Sequence, residues 1–477
     1  MRLITDRARA LVSASMVLMT LAAFSAAPPI RAADSAKTRP AARQSPDWLR
    51  DAVVYEVFPR AFSQEGNFKG VISQLDRLKD LGVTVLWMMP IHPVGKLKAK
   101  GTLGSPYAVR DYDAINPEYG NGDDLKALVA AAHQRGMKVF IDVVANHTAW
   151  DSVLIGKHPD WYTHDAAGSI VPPNPDWVDV ADLDYSNPAL RKYMSEMLVR
   201  WLRDYQLDGF RLDYASGVPT DFWETVRPAL DRVRPGLAFL GESDDPALLR
   251  KAFDIDYAWD FYHAMSDALA GRTPASTVRE VWERAEAKYP KGALRLRFSD
   301  NHDQLRTTGQ AGLPAALAAS AVMFTLDGAP LLYNGMEVGD GTESAAPGLF
   351  ERAPIAWEMA ERRPQVAPYY RALASLRRTH PALTRGAVHW LGNADEKRVL
   401  SYERALAGES LVIAVNLSSI PFSGTVAMPA GEYQEITPVL PVTTPVSPAQ
   451  QDSKRMAKLP GLGLAPWEFR VFRRVTP

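Results

Sequence analysis

The chain of 477 residues contains no cysteine, which excludes disulfides and a lipid attached through a thiol. It also lacks an excess of either charge. Lys and Arg number 54 against 55 Asp and Glu, so there is no basic surplus of the kind that nucleic acid or an anionic membrane surface selects. Long apolar runs are missing except at the N-terminus. There Arg2, Arg7 and Arg9 precede an uncharged stretch from Ala10 to Ile30, followed by Arg31. A basic head, an apolar middle and a small-residue exit describe a secretory signal peptide over 1–32. An uncleaved anchor is the competing reading, since the stretch nearly suffices to span a bilayer. Its Ala and Ser content and the Pro28-Pro29 break favour cleavage after Ala27 or Ala32. The mature chain is then exported, periplasmic or secreted, with no membrane segment. Residues 33–46 are polar and contain proline, and are expected to form a disordered lead-in.

What is present is a long α/β alternation. Hydrophobic residues make up 47% and charged residues 23%, as in ordinary globular proteins. Apolar runs at 53–58, 83–89, 137–144, 208–213, 237–240, 254–257, 294–298 and 330–333 are separated by helical patterns, the signature of βαβ units. Asn187-Pro188 opens one such helix as an N-cap followed by proline at the first helical position. Eight strands are the number of a (β/α)8 TIM barrel. The barrel is expected over 47–147 and 187–385, interrupted after the third strand by a short subdomain over 148–186. From 386 to 477 the texture changes to period-2 segments, which predict a C-terminal antiparallel β domain, a β-sandwich.

The run Gly209-Phe210-Arg211-Leu212-Asp213 puts two opposite charges at i and i+2, on one face of a strand. A structural ion pair and a catalytic strand end both account for it. In barrels of this kind function sits at the carboxyl ends of the strands. The third run ends in Asp142, Asn146 and His147, the fourth in Arg211 and Asp213, the fifth in Glu242, and the seventh in Asp300, Asn301, His302 and Asp303. Asp213, Glu242 and Asp303 thus arrive on one rim with two histidines and an arginine. Glycoside hydrolysis needs such a set: a carboxylate at the anomeric carbon, a protonated carboxylic acid at the leaving oxygen, and a group for the ring hydroxyls. Arg211 is expected to lower the pKa of Asp213, and desolvation after the apolar run 237–240 to raise that of Glu242.

The stretches Phe140-Ile141-Asp142-Val143-Val144-Ala145-Asn146-His147, Gly209-Phe210-Arg211-Leu212-Asp213, Leu240-Gly241-Glu242 and Phe298-Ser299-Asp300-Asn301-His302-Asp303 resemble the four principal motifs of the α-amylase family of glycoside hydrolases. They stand in the family's order, and Gly328-Ala329-Pro330-Leu331-Leu332-Tyr333-Asn334-Gly335-Met336-Glu337 resembles its last barrel strand. The resemblance implies a retaining mechanism with Asp213 as nucleophile, Glu242 as acid/base and Asp303 as transition-state stabiliser. It implies substrate binding by His147, Arg211 and His302, with Tyr107 as a stacking platform. It further implies calcium on Asn146 and Asp182 through oxygen ligands, and no organic cofactor. Trp150, Trp161, Tyr162 and Trp177 in the insertion either line a saccharide groove or form the subdomain's own core.

The expected activity is hydrolysis of α-1,4-glucosidic bonds in starch, maltodextrins or related α-glucans. Cyclodextrin or pullulan hydrolysis, α-glucosidase action and transglycosylation belong to the same chemistry, because loops rather than motifs set specificity. A non-catalytic sugar-binding relative would be expected to have lost one of the three carboxylates, and all three are present. The departure from the family pattern is Tyr214-Ala215-Ser216-Gly217, where many α-amylases carry a Lys-His pair.

Overall fold

The computed structural model describes residues 39–342, 346–438, 456–457 and 461–475. The expected signal peptide lies outside the described residues. Of the lead-in, residues 39–46 are packed rather than disordered. The amides of Ala42 and Arg43 donate to the carbonyls of Lys291 and Leu249, Arg43 pairs with Asp231, and Ser45 is buried. Composition alone missed this because the ordering contacts lie about two hundred residues away in sequence.

Eight parallel strands close into a barrel: β1 (Val54–Val57), β2 (Val85–Met88), β3 (Lys138–Val144), β6 (Gly209–Asp213), β7 (Ala238–Gly241), β8 (Ile255–Tyr257), β9 (Leu294–Arg297) and β10 (Ala329–Tyr333). Two further short strands, β4 (His147–Ala149) and β5 (Val180–Asp182), pair antiparallel in the insertion after β3. Alternation sorts the barrel side chains into two cores. Val54, Val85, Trp87, Phe140, Leu240, Ile255, Leu296 and Leu331 fill the interior. Tyr55, Leu86, Ile141, Phe210, Leu212 and Phe239 face the surrounding helices.

That parity decides where the charges go. Glu56, Asp142, Arg211 and Asp213 share the inward parity of their strands, near the carboxyl ends, and the register sets Asp142 beside Arg211 and Val144 beside Asp213. At the lower end of β6, a Cβ on Gly209 would stand 2.0 Å from the Ala238 carbonyl oxygen. Only glycine lets β6 approach β7 there.

The helix Pro188–Tyr205 leads into β6. Its N-cap Asn187 accepts from the amides of Ala189 and Leu190, and Leu190, Met194, Met197 and Trp201 are buried along one stripe. The helical pattern expected before β8 shrinks to one 3-10 turn, Leu248–Arg250. The chain must turn back within a few residues to place Phe253 against Trp223 and Phe239 before entering β8.

Beyond the barrel run β11 (Ala387–Trp390), β12 (Val399–Leu406), β13 (Glu409–Asn416), β14 (Phe422–Thr425), β15 (Glu432–Glu435), β16 (Met456–Ala457), β17 (Gly461–Leu464) and β18 (Phe469–Val475). They form a six-stranded antiparallel sheet, β11-β12-β13-β18-β15-β16, and a two-stranded one, β14-β17. Along β13, Leu411, Ile413 and Val415 join the barrel's outer core, while Val412 and Ala414 pack with Phe422, Leu462 and Leu464. Period-2 patterning therefore gives a sheet whose central strand β13 is buried on both faces. Among the described residues no helix is long and apolar enough to cross a membrane.

Candidate active site

Arg211 is the hub of the inward-facing groups at the top of the barrel. Its Nη1 donates to Asp142 Oδ1 and Oδ2 at 3.0 and 2.9 Å and to Asp213 Oδ1 at 2.9 Å. Its Nη2 lies 2.9 Å from Glu242 Oε2. The guanidinium is fully enclosed, with the rings of Trp87, Tyr107 and Tyr257 at 5.1, 5.6 and 5.6 Å. A charge so buried is tolerated only with close partners, and three carboxylates supply them. Asp142 is held by more than Arg211: Trp87 Nε1 and the Tyr107 hydroxyl donate to its Oδ2 at 3.2 and 3.1 Å.

Glu242 stands just past β7, where its Oε2 accepts the Tyr214 amide at 2.9 Å. Asp303 is set by an Asx turn in which Asn301 Oδ1 accepts the amides of Asp303 and Gln304. Asp300 anchors the same loop by accepting from Ser299 and Thr307. His302 joins Asp303, with Nε2 3.2 Å from Oδ2, and its ring stacks on Tyr107 at 4.9 Å. His147 is buried at the start of β4, 3.2 Å from Asn146 Oδ1 and edge-on to Trp177.

Burial dominates the electrostatics. It raises Glu242 to about 7, with Arg211 opposing and Asp213 and Asp303 adding to the rise. It raises Asp213 to about 6, again against Arg211, and Asp142 likewise to about 6. The expected lowering of Asp213 by Arg211 is thus present but outweighed by burial, to which repulsion from Asp142 and Asp303 adds. Asp303 goes the other way: burial pushes it up, but His302 and Arg211 bring it below the usual range. Burial takes His147 down to about 4, so this imidazole is neutral at pH 7. The arrangement can therefore keep a proton on Glu242 while Asp213 and Asp303 are ionised.

All three sequence-predicted carboxylates converge here, with Arg211, His302, Tyr107 and His147 around them. In the insertion, Trp161 and Tyr162 are core residues, whereas Trp177 is half-buried against His147 and Tyr214. The sequence reading gave no role to Glu56, Trp87, Tyr257 or Tyr214. Glu56 carried the same signal as Arg211, a charge within an apolar strand.

The donors at the expected calcium position do not fit a cage of oxygen ligands. Asn146 Oδ1 faces His147 Nδ1, its Nδ2 donates to the Gly217 carbonyl, and Asp182 accepts the Thr163 hydroxyl. Among the described residues no group of three or more His, Asp or Glu gathers as a metal site.

A closed parallel barrel with carboxylic acids grouped on the carboxyl-end rim is the architecture of a glycoside hydrolase. Residues 55–177 and 174–390 match the family model described as alpha amylase, catalytic domain, and the chain belongs to the α-amylase family. An α-amylase from Lactobacillus plantarum is 32% identical, with a TM-score of 0.79 over 90% of this chain and 99% of that one. A noncanonic maltogenic α-amylase, AmyB, from Thermotoga neapolitana is 30% identical, with a TM-score of 0.80 over 90% and 100%. The α-amylase MalA of Haloarcula japonica is 28% identical over 404 residues, covering 81% of this chain; the aligned region spans 58% of that relative's length.

Proposed function

We propose that this chain is an exported, retaining hydrolase of α-1,4-glucosidic bonds in starch, maltodextrins or related α-glucans. The observation that carries the reading is that Asp213 and Glu242 grip two nitrogens of one guanidinium. Carboxyl groups so placed favour the close spacing of a retaining pair, about 5 to 5.5 Å, over the wider gap that admits a water between them. Glu242 protonates the leaving glycosidic oxygen as a carboxylate oxygen of Asp213 bonds to the anomeric carbon. The resulting carboxylate of Glu242 then takes a proton from water, whose oxygen displaces Asp213. Asp303, ionised and open to solvent on 39% of its side-chain surface, accepts hydrogen bonds from the ring hydroxyls.

Export is supported by the basic head and apolar stretch of residues 1–32. No step is routed through a metal ion. Relatives that carry amylase and maltogenic names support an α-glucan as substrate. The test is a product profile on soluble starch, pullulan, cyclodextrin and maltotriose, with the first-formed anomer read by proton NMR. Initial release of the α-anomer supports the reading; initial β-anomer, or no turnover of any of the four, overturns it.

A further inference from the structure

His302 carries a carboxylate on each ring nitrogen. Glu56 Oε1 is 2.5 Å from Nδ1, and Asp303 Oδ2 is 3.2 Å from Nε2. A neutral imidazole offers one N–H and one lone pair, so it satisfies two ionised carboxylates only when doubly protonated. Glu56 is the third of the four residues of β1, its side chain fully enclosed and out of reach of a sugar. The imidazole is clamped between them, stacked on Tyr107 and edge-on to Trp87 at 5.9 Å.

We propose that Glu56 is a positioning residue that fixes His302 as an imidazolium, giving the rim a second permanent cation aimed at Asp303. The other groups facing this pair are Asp142 from β3, Arg211 from β6, and the phenols of Tyr107, Tyr257 and Tyr333. Arg211 is already divided among Asp142, Asp213 and Glu242. Asp303 therefore takes its ionised form chiefly from His302. Burial alone would discharge the imidazole, but Asp303 and Glu56 together hold its pKa well above the ordinary value. For the α-glucan chemistry proposed above, on which this inference rests, the consequence is an Asp303 that stays an acceptor throughout the working pH range.

The test uses the full chain labelled with 15N-histidine, with the His302 signals assigned by their loss in His302→Gln. In the wild type both ring nitrogens of His302 are expected to stay protonated well above the ordinary imidazole range. In Glu56→Gln, which keeps the volume and an acceptor oxygen, the ring is expected to titrate nearer the ordinary value of about 6.5. On maltodextrin, kcat of Glu56→Gln relative to wild type should fall at least about tenfold above neutrality with KM within about twofold. That ratio should recover below about pH 6, where the imidazole protonates unaided; a packing defect would not recover. Circular dichroism and the thermal midpoint check the fold. A neutral Nε2–H tautomer beside a Glu56 carboxylic acid in the wild type, or an unchanged titration in Glu56→Gln, overturns the proposal. Absence of α-glucan hydrolysis with the expected imidazole signals would instead sink the functional reading and leave the charge of His302 standing.

Discussion

The backbone amide of Tyr214 donates to Glu242 Oε2 at 2.9 Å, from a residue held at φ 39° and ψ 51°. The amide that contacts the acid is thus presented by strained left-handed backbone one residue past Asp213. The Tyr214 ring, 40% exposed, meets Trp177 edge-on at 5.1 Å. Tyr214→Gly keeps the amide and relieves about 1 to 2 kcal/mol of strain, against about 0.5 to 1.5 kcal/mol for the lost aromatic pair. The expected outcome is a thermal midpoint within a few degrees of wild type and an unchanged alkaline limb of kcat/KM. A displaced limb would show that the ring, not the amide, controls Glu242.

The proposed double displacement requires Glu242 protonated and Asp213 ionised. With these groups at about 7 and about 6, kcat/KM on maltodextrin should rise through about pH 6 and fall above about pH 7. Glu242→Gln should abolish the turnover of unactivated glucans, while an aryl α-glucoside with a good leaving group retains a slow first step without the alkaline limb. Steady-state profiles on the two substrates check this.

Asp213→Asn should lower kcat at least about a thousandfold and leave the fold intact. Its effect on stability has a definite sign. Asp213 is raised in the folded chain, so ionising it disfavours the native state as pH rises from about 4, the unfolded value, through about 6. The substitution removes that cost. Its thermal midpoint should exceed wild type at pH 8, and the gain should vanish below about pH 4.

Arg211→Met leaves Asp142, Asp213 and Glu242 without their shared cation. Breaking a buried pair from one side costs about 3 to 5 kcal/mol, to be read from urea denaturation at pH 8. At pH 5 the loss should be smaller, since the carboxylates then take up protons. Equal losses at both values would point to packing instead.

Chelation should change neither the thermal midpoint nor kcat, because Asn146 Oδ1 faces His147 Nδ1 and Asp182 Oδ2 accepts the Thr163 hydroxyl. A fall in either with EDTA, restored by calcium alone, would reveal a site that the side-chain contacts do not foreshadow.

Much of the site was legible because alternation in strands is strict. Once eight runs are counted, the polar residues that end them must gather on one rim, and Asp213, Glu242 and Asp303 follow. Glu56 and Trp87 each stand two residues before the end of their runs, as Arg211 does, but their partners, His302 and Asp142, are set only by closure of the barrel. Residues 39–46 looked disordered because their partners are remote in sequence.

The alternation of strands and helices and the shared face of Arg211 and Asp213 follow from the chain itself, since local hydrophobic runs and a two-residue period specify them, and the family follows from the motifs that its strand ends carry. Tertiary structure alone decided how charge is apportioned. One guanidinium serves three carboxylates, and burial outweighs it at Asp213. His302 stands between Glu56 and Asp303, which turns Asp303 the opposite way from Glu242. Desolvation and the attraction between charges depend on distances across the barrel, and no local pattern encodes those.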